Sequence, residues 1–421
     1  MNPDVSKIFY GYIIVASASI ILLVLWAVFY SFGVFLIPLI QEFGWSRAST
    51  AGAFSLCSII MGFAGIAGGR VNDTYGPRVV MSISGLVLGF GYIMMGFVNS
   101  VWQLYLFYGI FVGVGMVGGF VPLMSTIARW FNKRRGLMTG VISAAIGIGA
   151  VTGPPLANKL IVGYGWRMSY FILGASLMIL VVSSAQLLKR DPADIGKSAD
   201  GSEQCVYGSC SSNREGLSQG EALRTLRFWI YFAMIICFGF CLFSIMVHIV
   251  AHAVGIGLSA GRAAKILAAI GVFSIAGKLL MGRLTDTFGS RTIFLVNFIL
   301  MSAALIWLVL AKDPWALFLF AALFGVAYGG GVTSESPLVA ALFGLRAHGY
   351  LLGLISFGFA LGGAFGPWIT GRIFDISDSY RTAFMICAIF SAAGTFLTAL
   401  LHLEAIGGAH HLKADLGTHL K

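Results

Sequence analysis

A stretch of ten residues occurs twice in this chain, and each copy lies between two long apolar runs. Gly69 to Arg78 reads GRVNDTYGPR, and Gly282 to Arg291, 213 positions later, reads GRLTDTFGSR. Six of the ten residues are identical. Chance does not produce such a match in such a setting, so the chain is built from a duplicated unit whose connecting segments have been kept.

The composition places that unit in a membrane. Hydrophobic residues make up 58% of the chain, charged residues only 10%, and the mean hydropathy is +0.91. A soluble domain carries about 25% charged residues, and a helix needs about 20 mostly apolar residues to cross a bilayer. The apolar runs predict an all-α membrane protein with twelve helices, over 9–38, 46–68, 79–98, 102–128, 136–160, 167–189, 228–252, 261–284, 291–311, 315–342, 348–373 and 381–403.

The offset of 213 residues also holds outside the ten-residue repeat. It relates six small residues of the fifth helix to six of the eleventh: Gly136, Gly140, Ser143, Gly149, Gly153 and Pro154 match Gly349, Gly353, Ser356, Gly362, Gly366 and Pro367. One offset in two regions indicates parallel repeats related by an axis along the membrane normal. We expect six-helix bundles over 1–190 and 228–404, a polar linker over 191–227 and a tail over 405–421.

Lys and Arg residues explain the net charge of +11 without a nucleic acid. Eighteen of them lie on the side that carries the termini and the linker, against eight on the other side. The positive-inside rule makes the first side cytoplasmic.

Cys205 and Cys210 lie in the linker, and the other four cysteines lie in apolar runs, so no disulfide framework is expected. The first apolar run reads as a retained helix, and we expect a monomer in the plasma membrane of the cell.

The repeats resemble the major facilitator superfamily of secondary transporters over essentially the whole chain. The duplicated GRxxDxxGxR pattern and the Gly-Gly-Pro pattern of helix five carry this resemblance. In that family the Asp and Arg of the motif pair with neighbouring helix ends and hold the cytoplasmic side closed. The resemblance therefore implies a cytoplasmic gate formed by Arg70, Asp73, Arg78, Arg283, Asp286 and Arg291.

A second stretch resembles one branch of that superfamily. Trp130 to Gly147, WFNKRRGLMTGVISAAIG, is similar to the start of helix five in monocarboxylate transporters and in the bacterial oxalate/formate antiporters. The N-terminal motif of the animal proteins is not reproduced, since this chain reads FYGY from Phe9 to Tyr12. The resemblance implies an alternating-access carrier of small carboxylates, closer to the bacterial proteins, and not an enzyme.

Lys278 is the residue on which this functional prediction depends. It precedes Asp286 by eight residues, so a rise of 1.5 Å per residue places it about 12 Å inside the motif, near mid-membrane. An ionisable side chain there costs roughly 2.5–3.5 kcal/mol, which makes it a candidate functional residue. In the family the matching position carries a cation, usually Arg, for the substrate carboxylate. Lys offers a point charge without the bidentate fork, and the Asp four residues earlier in the animal proteins is Ser274 here.

Other polar and aromatic residues in the apolar runs complete the candidate site. Glu335 has a depth similar to that of Lys278, so it either exchanges the transported proton or forms a fixed ion pair with Lys278. We also expect Tyr328, His248, Trp26 and Tyr30 to contact substrate. His248 and His252 lack a third ligand, so no metal or other cofactor is expected. Gly113, Gly115 and Gly118 fit GxGxxG, but no strand precedes them, so they indicate helix packing.

The sequence thus predicts a proton-coupled carrier of small monocarboxylates such as lactate or pyruvate. Three alternatives stay open. An exchanger of the oxalate/formate type needs a second central cation, and Ser356 stands where those antiporters carry one. A membrane sensor for carboxylates needs an output domain, which the linker does not resemble. Drug efflux needs an apolar cavity without a central cation.

Overall fold

The structure is a computed structural model that describes residues 9–45, 47–199, 216–258, 260–311, 313–377 and 379–418. Within these ranges the chain is helical apart from turns and one isolated bridge between Gly216 and Gly344. The first helices are α1 (Tyr10–Tyr30), α2 (Phe32–Phe43), α3 (Arg47–Tyr75), α4 (Pro77–Met95), α5 (Val101–Leu104), α6 (Gly113–Gly115), α7 (Val121–Trp130) and α8 (Arg135–Ala185). A π-helix (Tyr105–Val112) and two 3-10 helices (Met116–Gly119 and Pro192–Ile195) interrupt or follow them.

The later helices are α9 (Gln219–Leu223), α10 (Leu226–Gly255), α11 (Ala260–Phe288), α12 (Ser290–Leu310), α13 (Pro314–Phe343), α14 (His348–Ser377) and α15 (Tyr380–Thr418). Eleven helical segments of the described chain are long and apolar enough to cross a membrane. One of them, α8, leaves helical geometry at Gly165 (φ 76°, ψ 162°) and so contains two helices. The twelve-helix, all-α prediction is therefore confirmed.

Most of each copy of the ten-residue repeat is helical, although the predicted helices ended at residues 68 and 284. Helix α3 continues to Tyr75 and α11 to Phe288, several residues beyond the predicted ends. Each connection to the next helix is a single glycine, Gly76 (φ 83°) or Gly289 (φ 84°), in a conformation that L side chains rarely adopt. The polar residues of the repeat therefore mark the end of an apolar run of the sequence. They do not mark the end of the helix.

The glycines of the 213-residue register bring helices into backbone contact. A Cβ atom added to Gly153 of α8 would lie 2.6 Å from the Cα atom of Ala27 in α1. A Cβ atom added to Gly366 of α14 would lie 3.1 Å from the Cα atom of Phe240 in α10. Ala27 and Phe240 are themselves 213 positions apart. The two halves of the chain thus use equivalent residues for equivalent helix pairs.

By their contacts, the described residues form two compact units. One comprises those of Met1–Gln219 and Val339–Phe357, and the other those of Gly220–Leu338 and Gly358–Lys421. The first unit therefore includes the end of α13 and the beginning of α14. The division of the chain into two bundles, linker and tail at residues 190, 227 and 404 stays a prediction.

Candidate functional site

Lys278 lies where glycines allow α11 and α13 to approach each other closely. A Cβ atom on Gly277 would lie 2.7 Å from the Cα atom of Val326, and one on Gly329 would lie 2.8 Å from the backbone nitrogen of Lys278. This glycine-mediated packing places the Lys278 ammonium over the ring of Tyr328, 5.3 Å from its centroid. Lys278 is only 1% exposed. The lysine side chain thus lies deep within packed helices.

No carboxylate neutralises Lys278 within the described part of the chain. None of the salt bridges found there includes it, and its Nζ atom has no hydrogen bond there. The fixed ion pair with Glu335, one of the two predicted arrangements, is not formed. Ser274, one turn before Lys278, donates its hydroxyl to the carbonyl of Gly271 at 2.8 Å in its own helix.

Glu335 belongs to a buried polar turn of α13. Thr333, Ser334, Glu335 and Ser336 are at most 4% exposed, and they precede Pro337. The Tyr231 hydroxyl of α10 donates to the backbone carbonyl of Glu335 at 3.0 Å. Glu335 also takes part in a further interaction, so it is not without a partner. The turn is therefore buried and held by its surroundings.

His248 uses both ring nitrogens to join three helices of the second unit. Its Nε2 atom lies 3.0 Å from the carbonyl oxygen of Pro367 in α14, and its Nδ1 atom lies 3.3 Å from the hydroxyl of Tyr380 in α15. A carbonyl only accepts, so Nε2 donates to Pro367, and the Tyr380 hydroxyl is the partner of Nδ1. His252, one turn further along α10, packs its ring against Tyr380 and Phe384.

Trp26 and Tyr30 lie in the first unit, beside the interruption that follows α6. Their rings are 5.4 Å apart, and the Trp26 Nε1 atom donates to the carbonyl of Gly119 at 2.8 Å. Tyr30 is 41% exposed. Trp26 thus satisfies a carbonyl at the point where the chain changes from a 3-10 helix to α7, as irregular backbone at membrane depth requires.

Ser84 of α4 supports the same interruption from the other side. Its hydroxyl donates to the carbonyl of Gly115 and accepts from the backbone N–H of Gly118 at 3.3 Å. Added Cβ atoms on Gly113, Gly115 and Gly118 would all meet atoms of neighbouring helices within 3 Å. The interpretation of these glycines as packing residues agrees with this geometry.

The predicted gate residue Asp73 is the centre of a network in the first unit. One carboxylate oxygen lies 3.1 Å from Arg129 Nη2 and accepts from the backbone N–H of Gly349 at 3.2 Å. The other accepts from the N–H of Tyr350 at 3.0 Å. These two N–H groups belong to the first turn of α14, where the helix dipole also favours a negative charge. Asp73 thus caps the first turn of α14, and its role in a cytoplasmic gate stays a prediction.

Arg129 is the site residue that the sequence did not single out. Its side chain is 4% exposed, donates to the Leu345 carbonyl at 2.9 Å and lies 3.6 Å from Asp191. It therefore connects α3 to the segment before α14 and to the start of the linker. Arg129 lies inside the apolar run VPLMSTIARWF, and a cation in such a run is the signal that could have identified it.

The other predicted gate residues have different surroundings. Arg78 donates through Nε to the side-chain oxygen of Gln186 at 2.8 Å, and Arg70 is exposed. In the second unit, Arg283 is exposed, Arg291 is partly buried, and Asp286 has interactions of its own. The cation that pairs with Asp73 is therefore Arg129 and none of the arginines of the motif. Among the described residues, no group of three His, Cys, Asp or Glu side chains could hold a metal ion.

Backbone groups within the predicted linker also contact this region. Gly216 forms an antiparallel bridge with Gly344, and the Leu217 N–H donates to the Phe343 carbonyl at 2.9 Å. Phe343 and Gly344 immediately precede Leu345, which accepts the hydrogen bond of Arg129. Two parts of the predicted linker, Asp191 and the stretch 216–217, thus contact the first unit close to Arg129 in the sequence or in space.

Comparisons with known proteins agree with this architecture. The family model described as Major Facilitator Superfamily matches residues 18–277 and 256–414. Monocarboxylate transporter 12 of Rattus norvegicus is 25% identical over 408 residues, which cover 91% of this chain and 84% of that protein. Monocarboxylate transporter 4 of Gallus gallus is 26% identical over 374 residues, with 87% and 77% covered.

Solved transporter structures share the fold. The transporter FucP in its outward conformation has a TM-score of 0.68 and 16% identity, covering 93% of this chain and 99% of that chain. The proton:xylose symporter XylE has a TM-score of 0.69 and 15% identity, with 92% and 94% covered. The family model spans nearly the whole described chain, so the protein belongs to the Major Facilitator Superfamily and is a membrane transporter similar to the monocarboxylate transporters.

Proposed function

We propose that this transporter carries small monocarboxylates such as lactate or pyruvate together with protons, by alternating access. The observation that carries the proposal is Lys278, a lysine that is 1% exposed and forms no salt bridge with a carboxylate of the described chain. A substrate carboxylate supplies the missing negative charge. Curated relatives of this protein are named monocarboxylate transporters, which supports the same substrate class.

The surroundings of Lys278 favour a small anion with one charge. Within the described residues, the buried Lys and Arg residues are Lys278 and Arg129, and Arg129 is already paired with Asp73. A dicarboxylate such as oxalate needs two cations for full neutralisation. Tyr328 lies beside Lys278 and offers a phenolic hydrogen-bond donor for a carboxylate or a hydroxyl group.

The remaining site residues take supporting roles in this proposal. His248, Trp26 and Tyr30 contact substrate, and Glu335 and Lys278 are the candidates for proton coupling. The network of Asp73 and Arg129 closes the cytoplasmic side, together with the motif residues Arg70, Arg78, Arg283, Asp286 and Arg291. The protein acts as a monomer in the plasma membrane with both termini in the cytoplasm.

Uptake of radiolabelled lactate into liposomes tests this proposal. Lys278→Ala is expected to lower uptake about 10- to 100-fold, because a hydrogen bond to a charged group contributes roughly 1.5–3 kcal/mol. The matched control is Lys265→Ala, which removes an exposed lysine of the same helix and should leave uptake unchanged.

Competition and pH gradients separate the alternatives. Excess unlabelled pyruvate should suppress lactate uptake, and an inward proton gradient should increase it. Equal uptake by the Lys278 and Lys265 variants would contradict the assignment of the anion site. Lactate uptake that depends on preloaded oxalate, and ignores a proton gradient, would favour an exchanger of the oxalate/formate type.

A further inference from the structure

We infer that Lys278 is itself the group that carries the transported proton: it is a neutral amine in the empty carrier and an ammonium when the carboxylate is bound. This inference rests on the proposed function and assigns its coupling to one residue. The geometry that supports it is the packing of Lys278 between α11 and α13, without a counter-ion in the described chain.

The titratable groups on the helices around Lys278 supply no negative charge to it. From α13, Tyr328 presents its ring at 5.3 Å, and Glu335 forms no salt bridge with Lys278. From α10, Tyr231 donates to the Glu335 carbonyl, and His248 is engaged by Pro367 and Tyr380.

Within α11 itself, the other titratable groups are at least five residues from Lys278 in the sequence: Arg262, Lys265, Arg283 and Asp286. The position one turn earlier is Ser274, which cannot ionise at physiological pH and bonds within its own helix. The attraction between a cation and an aromatic ring is much weaker than the loss of hydration of a buried ammonium. A permanent charge on Lys278 would thus be poorly compensated whenever the carboxylate is absent.

Arg129, the other buried basic residue of this kind in the described chain, shows which partners surround a permanent positive charge. Arg129 has two carboxylates, Asp73 at 3.1 Å and Asp191 at 3.6 Å, and a carbonyl acceptor at 2.9 Å. A guanidinium cannot release its proton under physiological conditions, whereas a buried lysine readily does. The chain therefore has Arg where counter-ions are fixed and Lys where the counter-ion arrives with the substrate.

The transport cycle that follows balances in protons and charge. On the side of uptake, the Lys278 amine takes one proton from water and becomes the ammonium that binds RCOO⁻. On the other side the anion leaves, and the ammonium returns its proton to water. Each cycle moves one proton and one carboxylate in the same direction, so neither the loaded nor the empty carrier transports net charge at this site.

Lys278→Arg separates anion binding from proton coupling. The variant retains a positive charge for lactate, so exchange of labelled for unlabelled lactate should continue at a reduced but measurable rate. Net uptake driven by a proton gradient should fall at least about tenfold relative to exchange, because the empty carrier would have to return with a fixed charge. Lys265→Arg, on the exposed face of the same helix, serves as the matched control.

Two results would overturn the inference. One is undiminished accumulation of lactate by Lys278→Arg along a proton gradient. The other is loss of coupling, with exchange retained, in Glu335→Gln and not in Lys278→Arg. If wild-type protein fails to transport lactate at all, the proposed function fails, which is a distinguishable result.

A binding measurement covers the case in which Lys278→Arg does not fold. Calorimetry of lactate binding to the wild-type protein, in buffers with different ionisation enthalpies, counts the protons taken up with the anion. Over a pH series, uptake should approach one proton per lactate as the pH rises. Binding without proton uptake throughout that series would overturn the inference.

Discussion

Asp73 and Arg129 form an ion pair whose side chains are only 10% and 4% exposed. Removing one partner of a buried pair leaves the other charge without compensation, which costs about 3–5 kcal/mol. We expect Arg129→Ala and Asp73→Ala each to lower the thermal unfolding midpoint in detergent markedly. Arg70→Ala, at an exposed position, should change the free energy of unfolding by at most about 0.5 kcal/mol.

The double variant tests whether the two residues act as a pair. Its destabilisation should be smaller than the sum of the single effects, with an interaction energy of about 0.5–3 kcal/mol. Additive effects would show that Arg129 acts through Asp191 or Leu345 and that Asp73 acts through the first turn of α14 alone.

Individual residues differed in how well the sequence predicted their surroundings. Lys278 could be found because it interrupts an apolar run, and Asp73 because it is repeated. Arg129 interrupts an apolar run as well, but it lies just before the cationic group of Lys133, Arg134 and Arg135. Sequence spacing does not show which of these four side chains turns inward, because that depends on Asp73 and Asp191 being brought to it by the fold.

Helix packing through glycine gives a prediction at the level of elements. An alanine at position 153 would place its Cβ atom against the backbone of Ala27 and separate α8 from α1. Overpacking of this kind costs about 1–3 kcal/mol, so Gly153→Ala should lower the unfolding midpoint. Gly163→Ala in the same helix has no atom within 4 Å of the new Cβ and should be neutral or slightly stabilising. Equal midpoints for the two variants would contradict this account.

The elements themselves were predicted well in number and less well at their ends. Apolar runs of about 20 residues identify membrane helices because the bilayer fixes their length. They do not define where α3 and α11 end, since both helices continue through the polar repeat to Tyr75 and Phe288. The interruption between α6 and α7 was also missed, because its freed backbone groups are satisfied by Ser84 and Trp26 from distant parts of the sequence.

The orientation of the whole molecule gives a prediction that uses the native cysteines. Cys57, Cys241 and Cys387 are buried, and Cys237 is partly buried. Cys205 and Cys210 belong to the polar linker and lie outside the described residues. If the linker is cytoplasmic, a membrane-impermeant maleimide should label the protein in inverted vesicles and not in intact cells. Cys205→Ser combined with Cys210→Ser should abolish the labelling, and labelling of intact cells would reverse the predicted orientation.

The offset of 213 residues also allows matching positions of the two halves to be compared. Some residues occur in both halves, and others occur in only one. Glycines that pack helices and the aspartates of the repeat occur in both halves, whereas the counterpart of Lys278 is Gly65 and that of Glu335 is Pro122. Duplication alone would have produced two anion anchors. Only one half carries the lysine, so the proposed carrier has a single anion-binding site. Each transport cycle of that carrier would then move one anion, without cooperativity between sites.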